Sequence, residues 1–196
     1  MSKFIKSLNI KKNLRGALDI ALFMPQGAKH FSKDAQAFKA SFLIPLAFLP
    51  LTLITVLAAH PGSLAPGSAE ILMAIYGLRF FISLGLFLVA VYFMAKSMDR
   101  MDAFYRFGTA NNWLSIPAMA LALPLIIMFL NGHYSWTEIY PFMVIITLYS
   151  YGYTAYMASS VLRIPLELGG FVAIIGMMIN QTSLDILKRL AVEAIY

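Results

Sequence analysis

The chain contains 196 residues, of which 60% are hydrophobic and only 12% are charged, and its mean hydropathy is +0.76. Soluble domains carry about 25% charged residues, so this composition excludes an ordinary water-soluble globular protein and predicts an integral membrane protein. The formal net charge is +6, and eight of the fifteen lysines and arginines precede Ser41. That distribution fits an anionic membrane leaflet rather than nucleic acid. Because the sequence has no cysteine, disulfides and cysteine-based metal sites are excluded.

Residues 1–40 form a basic segment that we predict to be cytoplasmic. Residues 13–24 place five apolar side chains on one helical stripe: Leu14, Ala17, Leu18, Ala21 and Leu22. Because basic residues flank this stripe, we predict an amphipathic helix that lies in the membrane interface and ends before Pro25. Its basic residues, with two from a later segment, form the predicted surface for anionic headgroups or a partner: Lys11, Lys12, Arg15, Arg100 and Arg106.

Five long apolar segments follow, and they predict an all-α polytopic membrane protein. The predicted spans are 41–59, 70–95, 113–130, 139–162 and 164–180. The second span is predicted to continue as a helix from Lys96 to Phe107, with Asp102 and Arg106 paired at i, i+4 and Gly108 as the cap. Residues 182–196 are predicted to form a separate amphipathic tail.

Basic residues set the predicted orientation. The segment 96–112 holds three lysines and arginines, whereas the loops 60–69 and 131–137 hold none. With a cytoplasmic amino terminus, five spans satisfy the positive-inside rule. A re-entrant fifth segment, which would return the tail to the cytoplasm, remains as an alternative.

Prolines recur at similar positions in two of the predicted spans. The dipeptide Ile44-Pro45 returns 72 residues later as Ile116-Pro117, and a third copy, Ile164-Pro165, opens the fifth span. We predict that these three prolines lie in first helical turns, and that Pro50 and Pro124, in mid-span, kink their helices. The pattern favours either an internal repeat of two helical hairpins or a chance match between apolar segments.

Few ionisable residues lie within or next to the spans. Arg79 falls inside the second span at a cost of about 2.5–3.5 kcal/mol, so it either forms a headgroup site or extends its charge to the interface. Arg163 is predicted to pair with Glu167 at i, i+4. Four loop-end residues could bind a divalent metal, but they lack a metal-binding spacing, so no metal site is predicted: His60, Glu70, His133 and Glu138.

Small residues at helical spacing predict close contact between spans. They are Ser115, Ala118 and Ala122 in the third span, Gly152, Ala155 and Ser159 in the fourth, and Gly169 and Ala173 in the fifth. The sequence contains no Walker loop, nucleophile elbow, zinc-protease helix or dinucleotide-binding motif. We therefore predict no catalytic residue, no cofactor and no enzymatic activity.

The layout of a basic cytoplasmic amino terminus, five spans, short outer loops and a short tail resembles the Yip family of Rab-interacting membrane proteins and its bacterial relatives. Gly152-Tyr153 matches the family's Gly-Tyr motif, whereas the Asp-Leu-Tyr-Gly-Pro motif is absent. The resemblance implies a non-enzymatic organising component of the bacterial inner membrane that associates with lipid, with other membrane proteins or with itself. The alternative is a small transporter or channel subunit with proline-kinked helices.

The orientation can be tested with single cysteines, since the native chain has none. In intact cells, an impermeant maleimide should label a cysteine at Ser135 and should leave one at Ser97 unlabelled until the membrane is opened. Labelling of both positions in intact cells would contradict the predicted orientation.

Overall fold

The computed structural model describes residues 8–60 and 67–195, and these residues form α-helices joined by turns and one short 3₁₀ helix. The elements are α1 (Ile10–Ala21), the 3₁₀ helix (Gly27–His30), α2 (Ala35–Ser41), α3 (Leu43–Ala59), α4 (Ser68–Ser97), α5 (Met101–Trp113), α6 (Ser115–Leu130), α7 (Trp136–Leu162) and α8 (Leu166–Ile195). The all-α prediction is confirmed. Residues 1–7 of the predicted basic segment, residues 61–66 of the predicted first loop and Tyr196 of the predicted tail lie outside the described residues.

Four helical stretches are long and apolar enough to cross a membrane: Ala35–Ala59, Ser68–Ser97, Met101–Leu130 and Leu166–Ala191. The protein is therefore a membrane protein. The 27-residue helix α7 is equally long but less apolar, because it carries five tyrosines. It packs against α5, α6 and α8, where polar side chains can find partners.

Two of the four stretches are proline-interrupted helices. Phe42 alone separates α2 from α3, and Leu114 alone separates α5 from α6; both residues keep helical dihedrals (φ −62°, ψ −21° and φ −66°, ψ −12°). Each interruption lies three residues before a proline, Pro45 or Pro117, whose missing N–H removes one helical hydrogen bond. These prolines lie in the first turns of α3 and α6, as the sequence predicts.

The mid-span prolines behave differently. Pro50 and Pro124 lie inside α3 and α6, and the helical assignment continues on both sides of each. The helices are interrupted at Phe42 and Leu114 instead, and the predicted kinks at Pro50 and Pro124 stay predictions. Helices in lipid accommodate an internal proline through small local adjustments and neighbouring side chains.

The predicted extension of the second span across Lys96–Phe107 was also wrong. Helix α4 ends at Ser97, because Asp99 adopts a left-handed conformation (φ 55°) and the Arg100 amide donates to the Ala95 carbonyl at 2.7 Å. This is a Schellman ending, which usually uses glycine at the left-handed position. Gly108, the predicted cap, is buried inside α5 against the ring of Phe38.

The predicted tail is not a separate piece either. Helix α8 runs without a break from Leu166 to Ile195, over 30 residues. The sequence between the predicted fifth span and the tail contains neither glycine nor proline, so nothing there ends the helix. At about 1.5 Å per residue, α8 is about 45 Å long and exceeds the hydrocarbon thickness.

The tightest packing lies at one end of the bundle, in a unit that we name the amino-terminal layer: α1, the 3₁₀ helix, α2 and α5. Its helices pack on each other and on α7, and the side chains of Ile20, Phe31, Phe107 and Trp113 are at most 1% exposed. Met157 of α7 is fully buried against them. The opposite half of the bundle holds few buried side chains, and its surface is mostly exposed aliphatic and aromatic groups.

The predicted apolar stripe of helix α1 is divided between the bundle and the surface. Ala17 and Ala21 are buried and Leu14 packs against the core, whereas Leu18 and Leu22 are exposed. Gly16 also faces inward, since a Cβ added there would lie 2.8 Å from the Cβ of His30. Helix α1 is therefore part of the folded layer rather than a free interfacial helix.

Helices α7 and α8 approach most closely at Gly169. A Cβ added to Gly169 would overlap the carbonyl oxygen of Ala155 and lie 3.1 Å from the Cβ of Ser159. At the adjacent Gly170, no described atom lies within 4 Å of an added Cβ. The two glycines therefore differ in their surroundings although they are neighbours in sequence.

We expect Gly169→Ala to lower the free energy of unfolding by on the order of 1–3 kcal/mol, because a backbone oxygen cannot move aside as a flexible side chain can. Gly170→Ala is the matched control and should be neutral or stabilising by up to about 1 kcal/mol. Denaturation midpoints in detergent micelles give the comparison. Equal midpoints for the two variants would show that α7 and α8 are farther apart at Gly169 than this structure places them.

Candidate functional site

The two proline-interrupted helices meet at a buried hydrogen bond. The Asn112 side chain donates through Nδ2 to Oγ of Ser41 at 2.9 Å, and both residues are at most 1% exposed. Ser41 directly precedes the first interruption, and Asn112 lies two residues before the second. The Ser41 hydroxyl in turn donates to the Phe38 carbonyl at 2.7 Å. The breaks in the two helices are therefore tied to each other.

A cavity of about 260 Å³ lies beside this bond, between α4, α5, α7 and α8. Its polar lining residues are Ser83, Asn111, Asn112, Ser115, Tyr151, Thr154 and Asn180. A second cavity of about 490 Å³ shares Pro45, Phe80, Ser115 and Tyr151 with the first and continues between α3, α6 and α7. Most of its remaining lining is apolar, with Trp136 among the aromatic residues. From these four shared lining residues we infer that the two cavities connect into one space with a polar part and an apolar part, and we name them the joined cavities.

The small residues of α6 line this space. Ser115, Ala118 and Ala122 all border the larger cavity, and Ala118 also packs against the buried core. The predicted close contact along this stripe stays a prediction. In the fourth and fifth spans, Ala155 and Ser159 do meet Gly169, whereas Gly152 faces the ring of Phe23 at 3.8 Å and Ala173 lines the smaller cavity.

Arg79 is bound within the bundle. Its guanidinium donates through Nε to the Asn180 carbonyl at 3.3 Å and through Nη2 to the Asn180 side-chain oxygen, and it lies 5.5 Å from the ring centroid of Tyr76. Of the two sequence-based interpretations, neither foresaw Asn180, because the partner lies 101 residues away on α8. A cation in lipid needs such partners, since its unpaired burial is costly.

The predicted basic surface is mainly on the exposed side of the amino-terminal layer. Lys11, Lys12 and Arg15 are exposed on α1, whereas Arg100 and Arg106 are partly buried. Along α1, the exposed residues follow one helical stripe that changes from basic to apolar: Lys11, Arg15, Leu18 and Leu22. Such a stripe combines charge attraction to anionic headgroups with apolar contact to lipid.

Both predicted i, i+4 ion pairs were wrong, because Asp102 takes other partners. Lys33 Nζ lies 3.4 Å and Arg163 Nη2 lies 3.8 Å from its carboxylate. Arg163 is turned toward Asp102 and away from Glu167 because it ends α7 in a left-handed conformation (φ 57°). All three side chains are about half exposed, so each pair contributes little to stability.

The loop-end histidines and acids do not form a metal-binding cluster among the described residues. Within residues 8–60 and 67–195, no three His, Asp or Glu residues are close enough to hold a metal ion. His60 bonds the Val56 carbonyl at 2.7 Å, and Glu138 forms a capping box with Ser135 at the start of α7. Hydrogen bonds from the Ser135 amide and hydroxyl hold the pKa of the exposed Glu138 carboxyl below its ordinary value.

No protein-family model, curated protein or solved structure matches this chain. What the site does is therefore argued from its own residues.

The Arg79–Asn180 contact can be measured by a double-mutant cycle. We expect Asn180→Leu to destabilise the protein by about 1–2 kcal/mol, because Arg79 loses its side-chain acceptor on α8 and keeps only the backbone carbonyl. Combining it with Arg79→Met should cost less than the two single losses added together, since the unpaired cation is then gone. Gln181→Leu, at an exposed neighbouring position, is the control and should change little. Additive losses would mean that the two side chains do not interact.

Proposed function

We propose that the protein is a non-enzymatic organising component of the membrane that gathers anionic headgroups, and through them other membrane proteins, on its amino-terminal layer. The exposed stripe on α1 carries the proposal. Its basic residues Lys11 and Arg15 precede Leu18 and Leu22, so one face offers both charge and apolar surface. Because the inward face of α1 is already packed on the bundle, the stripe is held in a fixed orientation.

The orientation and the number of spans belong to the same proposal. If α7 spans the membrane in addition to the four apolar stretches, the protein has five spans. Its amino-terminal layer then lies at the cytoplasmic leaflet, where anionic lipids attract basic residues at about 1 kcal/mol each. In favour of α7 as a span, it follows α6 through a turn of five residues and packs along α6 and α8. This arrangement fits the Yip-like layout and a location in a bacterial inner membrane.

An internal repeat is also proposed. The interruptions at Phe42 and Leu114 are 72 residues apart, and each interrupted helix is followed by one long helix, α4 or α7. The units α2–α4 and α5–α7 would then be equivalent hairpins, and the Ser41–Asn112 bond would lie near their junction. Parallel repeats of helical units are known in membrane folds.

A small transporter is the second candidate, and the joined cavities favour it. They lie between two proline-interrupted helices, and such helices border binding sites in many transporters. The packed amino-terminal layer would close the cytoplasmic end of a route, so transport would require that layer to move.

Charge reversal tests the organising role. We expect replacement of Lys11, Lys12 and Arg15 by glutamate to reduce retention of phosphatidylglycerol severalfold, because three attractive charges become repulsive. Native mass spectrometry of protein from mixed phosphatidylglycerol and phosphatidylcholine micelles measures the retained lipid. Lys188→Glu with Arg189→Glu, on the exposed distal part of α8, is the control and should retain lipid as the wild type does.

Unchanged phosphatidylglycerol retention in the triple variant would contradict the proposed lipid role. If the variant instead lost only co-purifying proteins, the stripe would bind an acidic protein partner. Solute flux through liposomes containing the wild-type protein would favour the transporter.

A further inference from the structure

The polar part of the joined cavities contains an acceptor that the protein itself does not use. The hydroxyl of Ser41 has one hydrogen, and it is donated to the Phe38 carbonyl at 2.7 Å. Oγ of Ser41 can therefore only accept from Asn112, which fixes the amide nitrogen of Asn112 toward Ser41. Oδ1 of Asn112 is left buried with no partner among the described residues.

Ser83, on α4, carries a second unused group. Six other hydroxyls in the long helices donate to the carbonyl four residues earlier, the usual arrangement in helices: Thr52, Thr55, Thr109, Thr147, Ser150 and Thr154. Oγ of Ser83 has no partner within the described chain, although Ser83 is only 7% exposed. Both Ser83 and Asn112 line the smaller cavity.

The two unpaired groups, Oδ1 of Asn112 and Oγ of Ser83, indicate which head group a ligand would carry. Leaving a buried polar group unpaired costs about 1–3 kcal/mol, and a hydroxyl-bearing ligand head has both the donor that Asn112 lacks and an acceptor for Ser83. None of the described residues lining either cavity is charged, so an ionised head would be buried without a counter-charge. Arg79 is not among these lining residues, and its guanidinium nitrogens Nε and Nη2 donate to Asn180.

The larger cavity defines the rest of the ligand. It extends along α3 from Pro45 to Val56, about 16 Å at the helical rise, between Leu49, Met119 and Ile126 among other apolar residues. Its volume of about 490 Å³ lies in the lower half of the range of about 300–1,000 Å³ found for ligand pockets, which favours one chain over two. We propose that the joined cavities bind a single-chain amphiphile with an uncharged, hydroxyl-bearing head.

Fluorescence quenching tests this site. The chain has two tryptophans; Trp136 lines the apolar cavity, and Trp113 is 1% exposed in the core. The bromines of dibromostearoyl glycerol quench tryptophan on contact. When the purified full-length protein is titrated with this lipid, the fluorescence of Trp136 should fall to a saturating level. Trp136→Phe should abolish the saturable signal. Monooleoylglycerol should compete, and methyl oleate, which has no hydroxyl, should compete about threefold to tenfold less well.

Ser83→Ala separates binding from folding. It should raise the half-saturating concentration about threefold to tenfold without lowering the unfolding midpoint, because the Ser83 hydroxyl makes no hydrogen bond within the described chain and its unpaired burial is costly. Asn112→Leu should weaken binding similarly, but it also breaks the bond to Ser41. Thr109→Val is the matched control, since Thr109 is fully buried away from both cavities, and its titration should equal that of the wild type.

Three outcomes would overturn the proposal. Quenching that rises linearly without competition would mean that bulk lipid alone enters the cavities. If methyl oleate competed as well as monooleoylglycerol, the site would not recognise a hydroxyl. If oleoyl lysophosphatidate competed at lower concentration than monooleoylglycerol, the site would bind a charged head group. The glutamate variant at Lys11, Lys12 and Arg15 should titrate as the wild type does, so failure of the lipid-organising role and failure of this site are distinguishable.

Discussion

The missing N–H groups of Pro45 and Pro117 are the constraint on which the rest of the membrane domain depends. Each removes the donor that would satisfy the carbonyl four residues earlier, and in lipid an unsatisfied backbone group costs several kcal/mol. The helices are interrupted next to those carbonyls, at Phe42 and Leu114. Polar side chains collect at the same level, where Asn112 bonds Ser41. A defect in two backbones thus explains why a polar region exists inside an otherwise apolar bundle.

The amino-terminal layer compensates for the loose packing elsewhere. Helix association in lipid gains nothing from the hydrophobic effect between spans and relies on close packing and hydrogen bonds. In the layer, Gly16 and Gly108 let α1 and α2 approach their neighbours, and Tyr149 donates to the Ala21 carbonyl. Around the larger cavity, the described residues of α3, α6 and α7 leave about 490 Å³ unfilled, so we infer that a ligand would enter there. The layer that anchors the bundle also carries the basic stripe, which joins stability and surface recognition in one unit.

The parts of this fold that depend on local sequence could be predicted, and the parts that depend on distant residues could not. Long apolar segments indicated the spans, because lipid leaves the backbone only a helical solution. The end of α4 was missed because Asp99, rather than glycine, takes the left-handed position. Spacing indicated that Gly169 lies in a helix contact but could not distinguish it from the stripe of α6, which borders a cavity. The partners of Ser41 and Arg79 are 71 and 101 residues away, beyond any local pattern.

Three polar residues inside the bundle differ in how completely their polar groups are satisfied. Arg79, the more costly group, is bound by both the carbonyl and the side chain of Asn180, so its polarity is used within the protein. Asn112 uses its donor but keeps its acceptor free, and Ser83 departs from the bonding pattern of the other helix hydroxyls. The two neutral groups that are left unpaired beside one cavity add no stability to the fold. A ligand that satisfies them would gain affinity from this arrangement, since the protein has already lost their hydration on folding.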